Sequence, residues 1–188
     1  MLRPLYLSLF RIFGWKIKGQ FPSGMKKFIV AVAPHTSNWD FLVGLASRSI
    51  LRMQNARYLG KSSLFKPPFG WIFRALGGYP VDRSQHKDMV QQVADIFAAH
   101  DQFILALAPE GTRKKVDKLK TGFYYISKKS GVPIIPCGFD YAKKEVIIGD
   151  PFYPSDDVQN DIAMLTRFYS GITGRNPELG ISSEKIMN

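Results

Sequence analysis

Three features are scarce in this 188-residue sequence: cysteine, long hydrophobic runs, and acidic residues in its first part. The one cysteine, Cys137, excludes an internal disulfide and indicates a reducing compartment. No apolar span of about twenty residues occurs, so the sequence predicts no transmembrane helix. Arg11 interrupts the first apolar stretch and no small-residue cleavage site follows it, which argues against a signal peptide.

Several kinds of ligand motif are also missing. The sequence has no zinc-ligand spacing, no phosphate-binding loop and no recognised nucleic-acid motif. We therefore expect no metal, no cofactor and no nucleic-acid partner. Internal repeats, low-complexity tracts and linkers are absent as well, so the length and the 45% hydrophobic content predict one domain with a buried core.

Basic residues outnumber acidic ones, which gives a formal net charge of +11. No acidic residue precedes Asp40, and a second basic group runs from Arg113 to Lys129. The cations before Asp40 are Arg3, Arg11, Lys16, Lys18, Lys26 and Lys27. Such a surface attracts nucleic acid, anionic lipid headgroups or an acidic protein, and charge alone does not choose among them.

Short apolar runs that alternate with amphipathic stretches predict an α/β fold. We expect a single domain over 1–188, with a mostly parallel central sheet of about five to seven strands flanked by helices. Strands are predicted at 28–33, 57–60, 79–83, 103–108, 132–139 and 145–149. Helices are predicted from 38 to about 53, from 67 to 76, from about 85 to 99, from 122 to 129, and from a cap at Ser155 to Ile172. A loop-like tail is predicted over 174–188.

The beginning of the chain is predicted to be an amphipathic helix within residues 1–20. Leu2, Tyr6, Leu9 and Phe13 recur there at helical spacing. Two placements are open: the helix docks on the core, or its aromatic face enters the headgroup region of a membrane. Both placements are possible together if the helix docks at the edge of the domain.

A polar turn, Pro34-His35-Thr36-Ser37-Asn38-Trp39-Asp40, follows the first buried strand. Ser37 or Asn38 can cap the next helix, which puts His35 in the turn and Asp40 in the first helical turn. The imidazole can then fold back onto the carboxylate. Asp40 would fix the tautomer of His35 and stabilise the imidazolium formed when a hydroxyl gives up its proton. An ordinary capping or surface arrangement is the alternative interpretation.

A second polar turn, Pro109-Glu110-Gly111-Thr112-Arg113, follows the strand at 103–108. Parallel strands that end in polar turns place a ligand crevice at their carboxyl ends, so we expect this turn to lie beside His35. The forked guanidinium groups of Arg83 and Arg113 suit a phosphate. From the residues alone, Asp82 and Arg83 could also form a surface pair, and Glu110 could pair with Arg113 to hold the turn.

Four segments, in order, resemble the sequence blocks of the glycerolipid acyltransferase family. They are His35-x-x-x-x-Asp40, Gly78-Tyr79-Pro80-Val81-Asp82-Arg83, Pro109-Glu110-Gly111-Thr112-Arg113 and Val132-Pro133-Ile134-Ile135-Pro136. The resemblance implies that His35 is the general base and Asp40 its orienting carboxylate. It also implies that the acceptor is bound by Lys61, Arg83, Glu110, Gly111, Thr112 and Arg113.

The family transfers a fatty acyl group from coenzyme A or acyl carrier protein to a glycerol hydroxyl. The resemblance therefore implies an O-acyltransferase of phospholipid biosynthesis, peripheral on the cytoplasmic face of an anionic membrane. Its partners would be acyl-CoA or an acidic acyl carrier protein, and a lysophospholipid, foremost 1-acyl-sn-glycerol-3-phosphate.

The sequence departs from the family pattern in the absence of long N-terminal spans, at Ala108, and at Lys120-Thr121-Gly122-Phe123. These departures leave the acceptor open among lysophosphatidic acid, glycerol 3-phosphate, another lysophospholipid and a different amphiphile. A non-catalytic module that binds anionic lipid at the membrane surface is the alternative function.

Overall fold

Seven strands form one sheet in the computed structural model, which describes residues 3–82 and 89–181. The strands are β1 (Lys16–Lys18), β2 (Lys27–Val32), β3 (Ala56–Lys61), β4 (Gly78–Val81), β5 (Phe103–Leu107), β6 (Ile134–Asp140) and β7 (Glu145–Ile148). Their order across the sheet is β1-β7-β6-β2-β5-β3-β4. Only the β6–β7 pair is antiparallel among these neighbours, so the predicted mostly parallel α/β sheet is confirmed.

Helices cover both faces of this sheet. They are α1 (Arg3–Ile12), α2 (Trp39–Ile50), α3 (Gly70–Ala75), α4 (Met89–Ala99), α5 (Gly122–Ser130) and α6 (Val158–Ser170), with 3₁₀ turns at Ser62–Phe65 and Pro177–Leu179. One core cluster joins α1 and α2 to the sheet, and a second joins α4, α5 and α6 to its other face. In the described ranges, no helix combines the length and the hydrophobicity needed to cross a bilayer.

Strand β2 lies at the centre and is buried on both faces. Its residue Val30 is in register with Ala106 of β5 and with Ile135 of β6. Val30 packs in the cluster with α1 and α2, whereas Ile29 and Ala31 pack in the cluster with α4 to α6. This two-sided burial explains why the sequence of β2 is a continuous apolar run rather than an alternating one.

The N-terminal helix is shorter than the predicted span of 1–20. It ends at Ile12, Gly14 has a φ of +76°, and Lys16–Lys18 form β1 beside β7. A positive φ is easily adopted by glycine and breaks a helix, which accounts for the difference. Of the two open placements, α1 docks on the domain, because Phe10 is buried and the Arg3 side chain donates to the Ile50 carbonyl at 3.1 Å.

Other helix ends also differ from the prediction. Helix α2 stops at Ile50 rather than near residue 53, and α3 begins at Gly70 rather than at Pro67. The cap of α6 is Asp157, whose carboxylate accepts from the Asn160 N–H at 3.0 Å, and not Ser155 as predicted. The predicted start of α4 at residues 85–88 and the last part of the tail, 182–188, lie outside the described residues.

One buried hydrogen bond ties α6 to the central strand. The Tyr169 side chain is fully buried, and its hydroxyl donates to the Ala31 carbonyl of β2 at 2.6 Å. Because Ala31 lies four residues before His35, this bond helps to fix the strand that leads into the polar turn.

Replacement of Tyr169 by phenylalanine should lower the free energy of unfolding by about 1–2 kcal/mol, since it removes a buried hydrogen bond and little volume. Urea unfolding measures this change. The matched control is Tyr153→Phe, at a tyrosine that is 64% exposed, for which the change should stay within about 0.5 kcal/mol. Equal effects of the two substitutions would contradict a role for the Tyr169 bond.

Candidate functional site

Three polar segments meet at the carboxyl ends of β2, β5 and β6. These strands are parallel neighbours, so their carboxyl ends share one edge of the sheet. His35 follows β2, Glu110 follows β5 and Tyr141 follows β6. The site is therefore assembled where the topology of a parallel sheet places ligands.

His35 and Asp40 are in direct contact. His35 Nδ1 lies 3.0 Å from Asp40 Oδ2, with the histidine side chain 26% exposed and the aspartate side chain 2% exposed. A carboxylate accepts hydrogen bonds, so this contact favours the tautomer with the proton on Nδ1. The Nε2 atom is then the ring nitrogen that can take up a proton from a ligand.

The Asp40 carboxylate collects hydrogen bonds from several parts of the chain. Its Oδ2 accepts from the backbone N–H groups of Thr36 and Ser37 at 2.9 and 3.0 Å, and its Oδ1 accepts from the Tyr141 hydroxyl at 2.8 Å. Burial disfavours the charged form, yet the hydrogen bonds from His35, Ser37 and Tyr141 outweigh it and hold the pKa of Asp40 below its usual value. Asp40 is therefore a fixed carboxylate against the imidazole.

The start of α2 is organised differently from the predicted cap. Asn38 occupies the N-cap position without capping through its side chain, and its Oδ1 accepts instead from Arg113. The Ser37 hydroxyl accepts from the Trp39 N–H at 3.2 Å. The Asn38 side chain thus connects the His35 turn to the second polar turn.

Glu110 lies beneath the His35 turn rather than at its surface. Its side chain is 1% exposed, and its Oε2 accepts from the His35 backbone N–H at 2.6 Å. Burial raises the pKa of Glu110 to about 7, although the His35 N–H opposes the shift. This contact explains the glutamate as a support for the His35 backbone, without requiring that it touch a ligand.

A cavity of about 1200 Å³ opens beside His35. Its polar lining includes His35, Asn38, Asp40, Gly111, Thr112, Arg113, Lys114 and Lys120, and its apolar lining includes Val30, Phe41, Leu45, Tyr58, Ala106 and Phe139. The positive φ of Gly111, +66°, shapes the turn at this opening. Polar and cationic groups thus lie next to a long apolar wall formed by α2 and the sheet.

The structure brings together only some of the predicted site residues. His35, Asp40, Gly111, Thr112 and Arg113 line the cavity, whereas Glu110 supports the turn from below. Lys61 ends β3, is exposed and does not line this cavity. Arg83 lies outside the described residues. Within the described ranges, no group of three His, Cys, Asp or Glu side chains could hold a metal ion.

Sequence reasoning missed the contribution of Tyr141, although a signal was available. Tyr141 directly follows the third buried strand, so the rule that placed His35 and Glu110 at one edge applies to it as well. Its side chain reaches Asp40, and its backbone N–H donates to the Thr173 carbonyl at 2.8 Å.

The segment 173–176 covers the His35 turn, and no sequence pattern pointed to it. Asn176 donates to the Thr36 hydroxyl from its backbone N–H at 3.1 Å and to the Thr36 carbonyl from its side chain at 2.9 Å. The Arg175 guanidinium lies over the rings of Trp39 and Tyr141, at 5.9 and 5.7 Å from their centroids. The chain from residue 174 was predicted to be loop, and its contacts with Thr36, Trp39 and Tyr141 connect it to the turn that carries His35.

Comparison with known proteins identifies similar sequences. Residues 16–140 match the family model described as Acyltransferase. The 1-acyl-sn-glycerol-3-phosphate acyltransferase of Haemophilus influenzae is 29% identical over 138 residues, which cover 68% of this chain and 55% of that protein. The Escherichia coli protein of the same name is 26% identical over 132 residues, covering 66% of this chain and 53% of that protein. The chain thus spans about half the length of these relatives.

A solved structure shares the fold. The crystal structure of the 1-acyl-sn-glycerophosphate acyltransferase from Thermotoga maritima superposes with a TM-score of 0.60 at 20% sequence identity. The superposition covers 89% of this chain and 74% of that protein. The likeness extends beyond the residues of the family match to most of the chain.

The Glu110→Gln variant should change how stability depends on pH. The pKa of Glu110 rises from 4.5 to about 7 on folding, so the unfolded chain releases this proton first as the pH rises. Because of this group, the free energy of unfolding of the wild type should fall by about 3 kcal/mol in total as the pH rises from 4.5 to 7. Glutamine does not titrate, so the variant should gain about that much relative to the wild type across this window.

Urea unfolding at a series of pH values measures the difference between the two proteins. The matched control is Glu178→Gln, which makes the same chemical change at an exposed position. A difference between Glu110→Gln and the wild type that does not vary with pH would contradict the raised pKa of Glu110.

Proposed function

The chain belongs to the acyltransferase family, and we propose that it moves a fatty acyl group from an acyl thioester to the free hydroxyl of a lysophospholipid. The acceptor we favour is 1-acyl-sn-glycerol-3-phosphate, the acceptor named in the matched relatives. The observation that carries the proposal is the 3.0 Å contact of His35 with the buried Asp40, at the opening of an apolar cavity.

The proposed reaction needs one base. His35 Nε2 takes the proton from the acceptor hydroxyl, whose oxygen attacks the thioester carbonyl carbon and forms a C–O bond. The tetrahedral intermediate then collapses, the C–S bond breaks, and the departing sulfur receives the proton from His35. Asp40 stabilises the imidazolium between these two transfers. The products are an ester and a free thiol, and the steps require no resident metal or cofactor.

A covalent acyl-enzyme through Cys137 does not fit this site. The thiol is 4% exposed, and burial raises its pKa to about 12. A thiol in that state holds very little of the nucleophilic thiolate at neutral pH. Direct attack by the acceptor hydroxyl is therefore the chemistry that the side chains support.

The cations at the opening of the cavity suit the acceptor phosphate. Arg113 is held beside the His35 turn by its bond to Asn38, and Lys114 and Lys120 line the same opening. A guanidinium that holds the phosphate would leave the neighbouring hydroxyl close to the imidazole, and orientation of this kind supplies much of the rate. We retain Arg83 and Lys61 as candidate phosphate ligands on the strength of the family resemblance.

The apolar lining of the cavity suits an acyl chain. Phe41 and Leu45 of α2 line it together with Val30 and Ala106 of the sheet. A fatty chain placed there would be removed from water, which is favourable by about 25 cal/mol per Å² of apolar surface. Either acyl-CoA or an acyl carrier protein can present such a chain, and the net charge of +11 suits both anionic donors.

We place the protein at the cytoplasmic face of a membrane, where these donors and a lysophospholipid meet. A non-catalytic module that binds anionic lipid would use the same cavity and the same cations. The buried Asp40 favours the enzyme over the binding module. Burial of a carboxylate costs free energy, and a module that only binds lipid does not need a carboxylate in contact with a histidine.

His35→Ala should lower the rate of acyl transfer by about 10²–10⁴-fold, the usual contribution of a general base. The measurement is thiol release from a long-chain acyl-CoA or acyl carrier protein on addition of 1-acyl-sn-glycerol-3-phosphate. The control is His100→Ala, at a histidine that packs on Tyr79 and Phe103 away from the cavity, which should keep its rate. Unchanged turnover in a folded His35→Ala protein would discard the mechanism.

Tyr141→Phe should lower kcat/KM about tenfold, because one hydrogen bond to a charged group is lost. The hydrogen bond from Tyr141 helps to hold the pKa of Asp40 low, so its loss should raise that pKa, and activity should fall off on acidification from a higher pH. Tyr153→Phe, at an exposed tyrosine, is the control for both readouts. A lower rate with an unmoved acidic limb would indicate a structural role only.

A further inference from the structure

The part of the chain around α2 and α3 contains many basic residues and almost no acidic ones. Asp40 is the only acidic residue in the first 81 residues, and it is 3% exposed. The cations that follow it up to Val81 are Arg48, Arg52, Arg57, Lys61, Lys66 and Arg74. The surface formed by this part of the chain is therefore positively charged.

The same part of the chain exposes large apolar side chains. Phe69 is 64% exposed, Trp71 is 68% exposed, Leu64 is 46% exposed and Ile72 is 37% exposed. All four belong to the segment from the 3₁₀ turn at Ser62–Phe65 through α3. A cluster of this kind on a folded domain marks an interaction surface, since isolated apolar side chains are common but grouped ones are not.

This segment is firmly attached to the sheet, so its exposed side chains are held in place. Phe65 is 5% exposed, and a Cβ added at Gly60 or Gly78 would lie only 2.7 or 2.8 Å from its ring. Arg74 donates to the Phe65 carbonyl at 2.9 Å and lies over the same ring. One buried aromatic thus anchors a segment that presents the others outward.

The apolar surface continues to the opening of the cavity. Phe41 and Leu42 of α2 are 39% and 50% exposed. The Phe41 ring meets the Tyr58 ring edge-on at 5.5 Å, and the Tyr58 hydroxyl reaches the Phe73 carbonyl of α3 at 3.5 Å. Phe41 and Tyr58 also line the cavity. We call the exposed side chains of Phe41, Leu42, Leu64, Phe69, Trp71 and Ile72 the aromatic surface.

We propose that the aromatic surface inserts into the headgroup region of an anionic bilayer, with Phe69 and Trp71 as its main anchors. Tryptophan and phenylalanine beside lysine and arginine are typical of surfaces that lie in a membrane interface. Lys61 and Lys66, both exposed, flank the anchors and would meet anionic headgroups. An acidic protein would match the cations but would leave the exposed Trp71 and Phe69 without a comparable apolar environment.

The proposal turns the opening of the cavity toward the bilayer. In this respect it rests on the proposed function. With the aromatic surface in the bilayer, Phe41 would lie against the lipid, and it lines the cavity together with Tyr58 and His35. A lysophospholipid could then reach the base without its chain crossing water. Helix α1, with Ile12 75% exposed and Phe13 59% exposed, is the competing membrane anchor.

The test is co-sedimentation of the full chain with vesicles of phosphatidylcholine mixed with phosphatidylglycerol. The Phe69→Ser/Trp71→Ser variant should bind at least tenfold more weakly than the wild type, since two large side chains no longer enter the interface. Its control is Tyr125→Ser/Tyr153→Ser, because these side chains are also 48% and 64% exposed but lie outside the aromatic surface. The control should bind like the wild type.

A second variant compares the two possible anchors. If Ile12→Ser/Phe13→Ser abolishes vesicle binding while Phe69→Ser/Trp71→Ser keeps it, α1 is the anchor and the proposal is overturned. It is also overturned if the Phe69→Ser/Trp71→Ser variant keeps vesicle binding and instead loses binding to acyl carrier protein. A blue shift of tryptophan fluorescence on vesicles that disappears in Trp71→Phe would support insertion of that ring, and a shift unchanged in Trp71→Phe would contradict it.

The activity assay separates this proposal from the proposed function. With a short-chain lysophospholipid dissolved in water, Phe69→Ser/Trp71→Ser should keep the wild-type rate, whereas with a vesicle-embedded acceptor it should lose most of it. If the wild type transfers no acyl group but binds vesicles through Phe69 and Trp71, the proposed function fails and the docking surface stands. If the wild type is active and both acceptors are used equally by the variant, the docking surface fails alone.

Discussion

The site depends on one buried carboxylate that is held charged. Asp40 receives hydrogen bonds from the backbone of its own turn, from His35 and from Tyr141, a residue 101 positions away. An isolated carboxylate in such a place would be too costly to keep ionised, so these donors are a condition for the charge. The need to supply hydrogen bonds to this one charged carboxylate therefore positions the imidazole, the turn and the end of β6.

Two contrasting environments meet around that carboxylate. On one side lie the cations of the second polar turn, and on the other lies an apolar wall of α2 and the central strands. An amphiphile with a phosphate and a long chain matches both environments at once. The same division recurs at the surface, where exposed aromatic side chains of the α3 segment are flanked by lysines and by no exposed acid from the first 81 residues. The acceptor proposed for the cavity and the bilayer proposed for the surface thus belong to one class of ligand.

Much of the fold was predictable because its central strands are buried on both faces. The runs that became β2, β5 and β6 are apolar at successive positions, which only a covered parallel sheet requires. Strand β1 was not predictable, since Lys16-Ile17-Lys18 is a strand only by its pairing with β7. The contact of His35 with Asp40 was predictable because both residues belong to one turn. Glu110, by contrast, was expected among the acceptor-binding residues of the crevice and lies buried beneath that turn.

The sequence by itself determined which strands end in polar turns, and hence that a base, a carboxylate and a cation would share one edge of the sheet. This is local information, carried by the spacing of residues within each turn. Only the tertiary structure decided that Tyr141 reaches Asp40 and that Asn176 holds Thr36 from 140 positions away. Such partners leave no periodic pattern in the chain, because a hydrogen bond between distant segments depends on how the strands and helices pack and not on the order of the residues beside it.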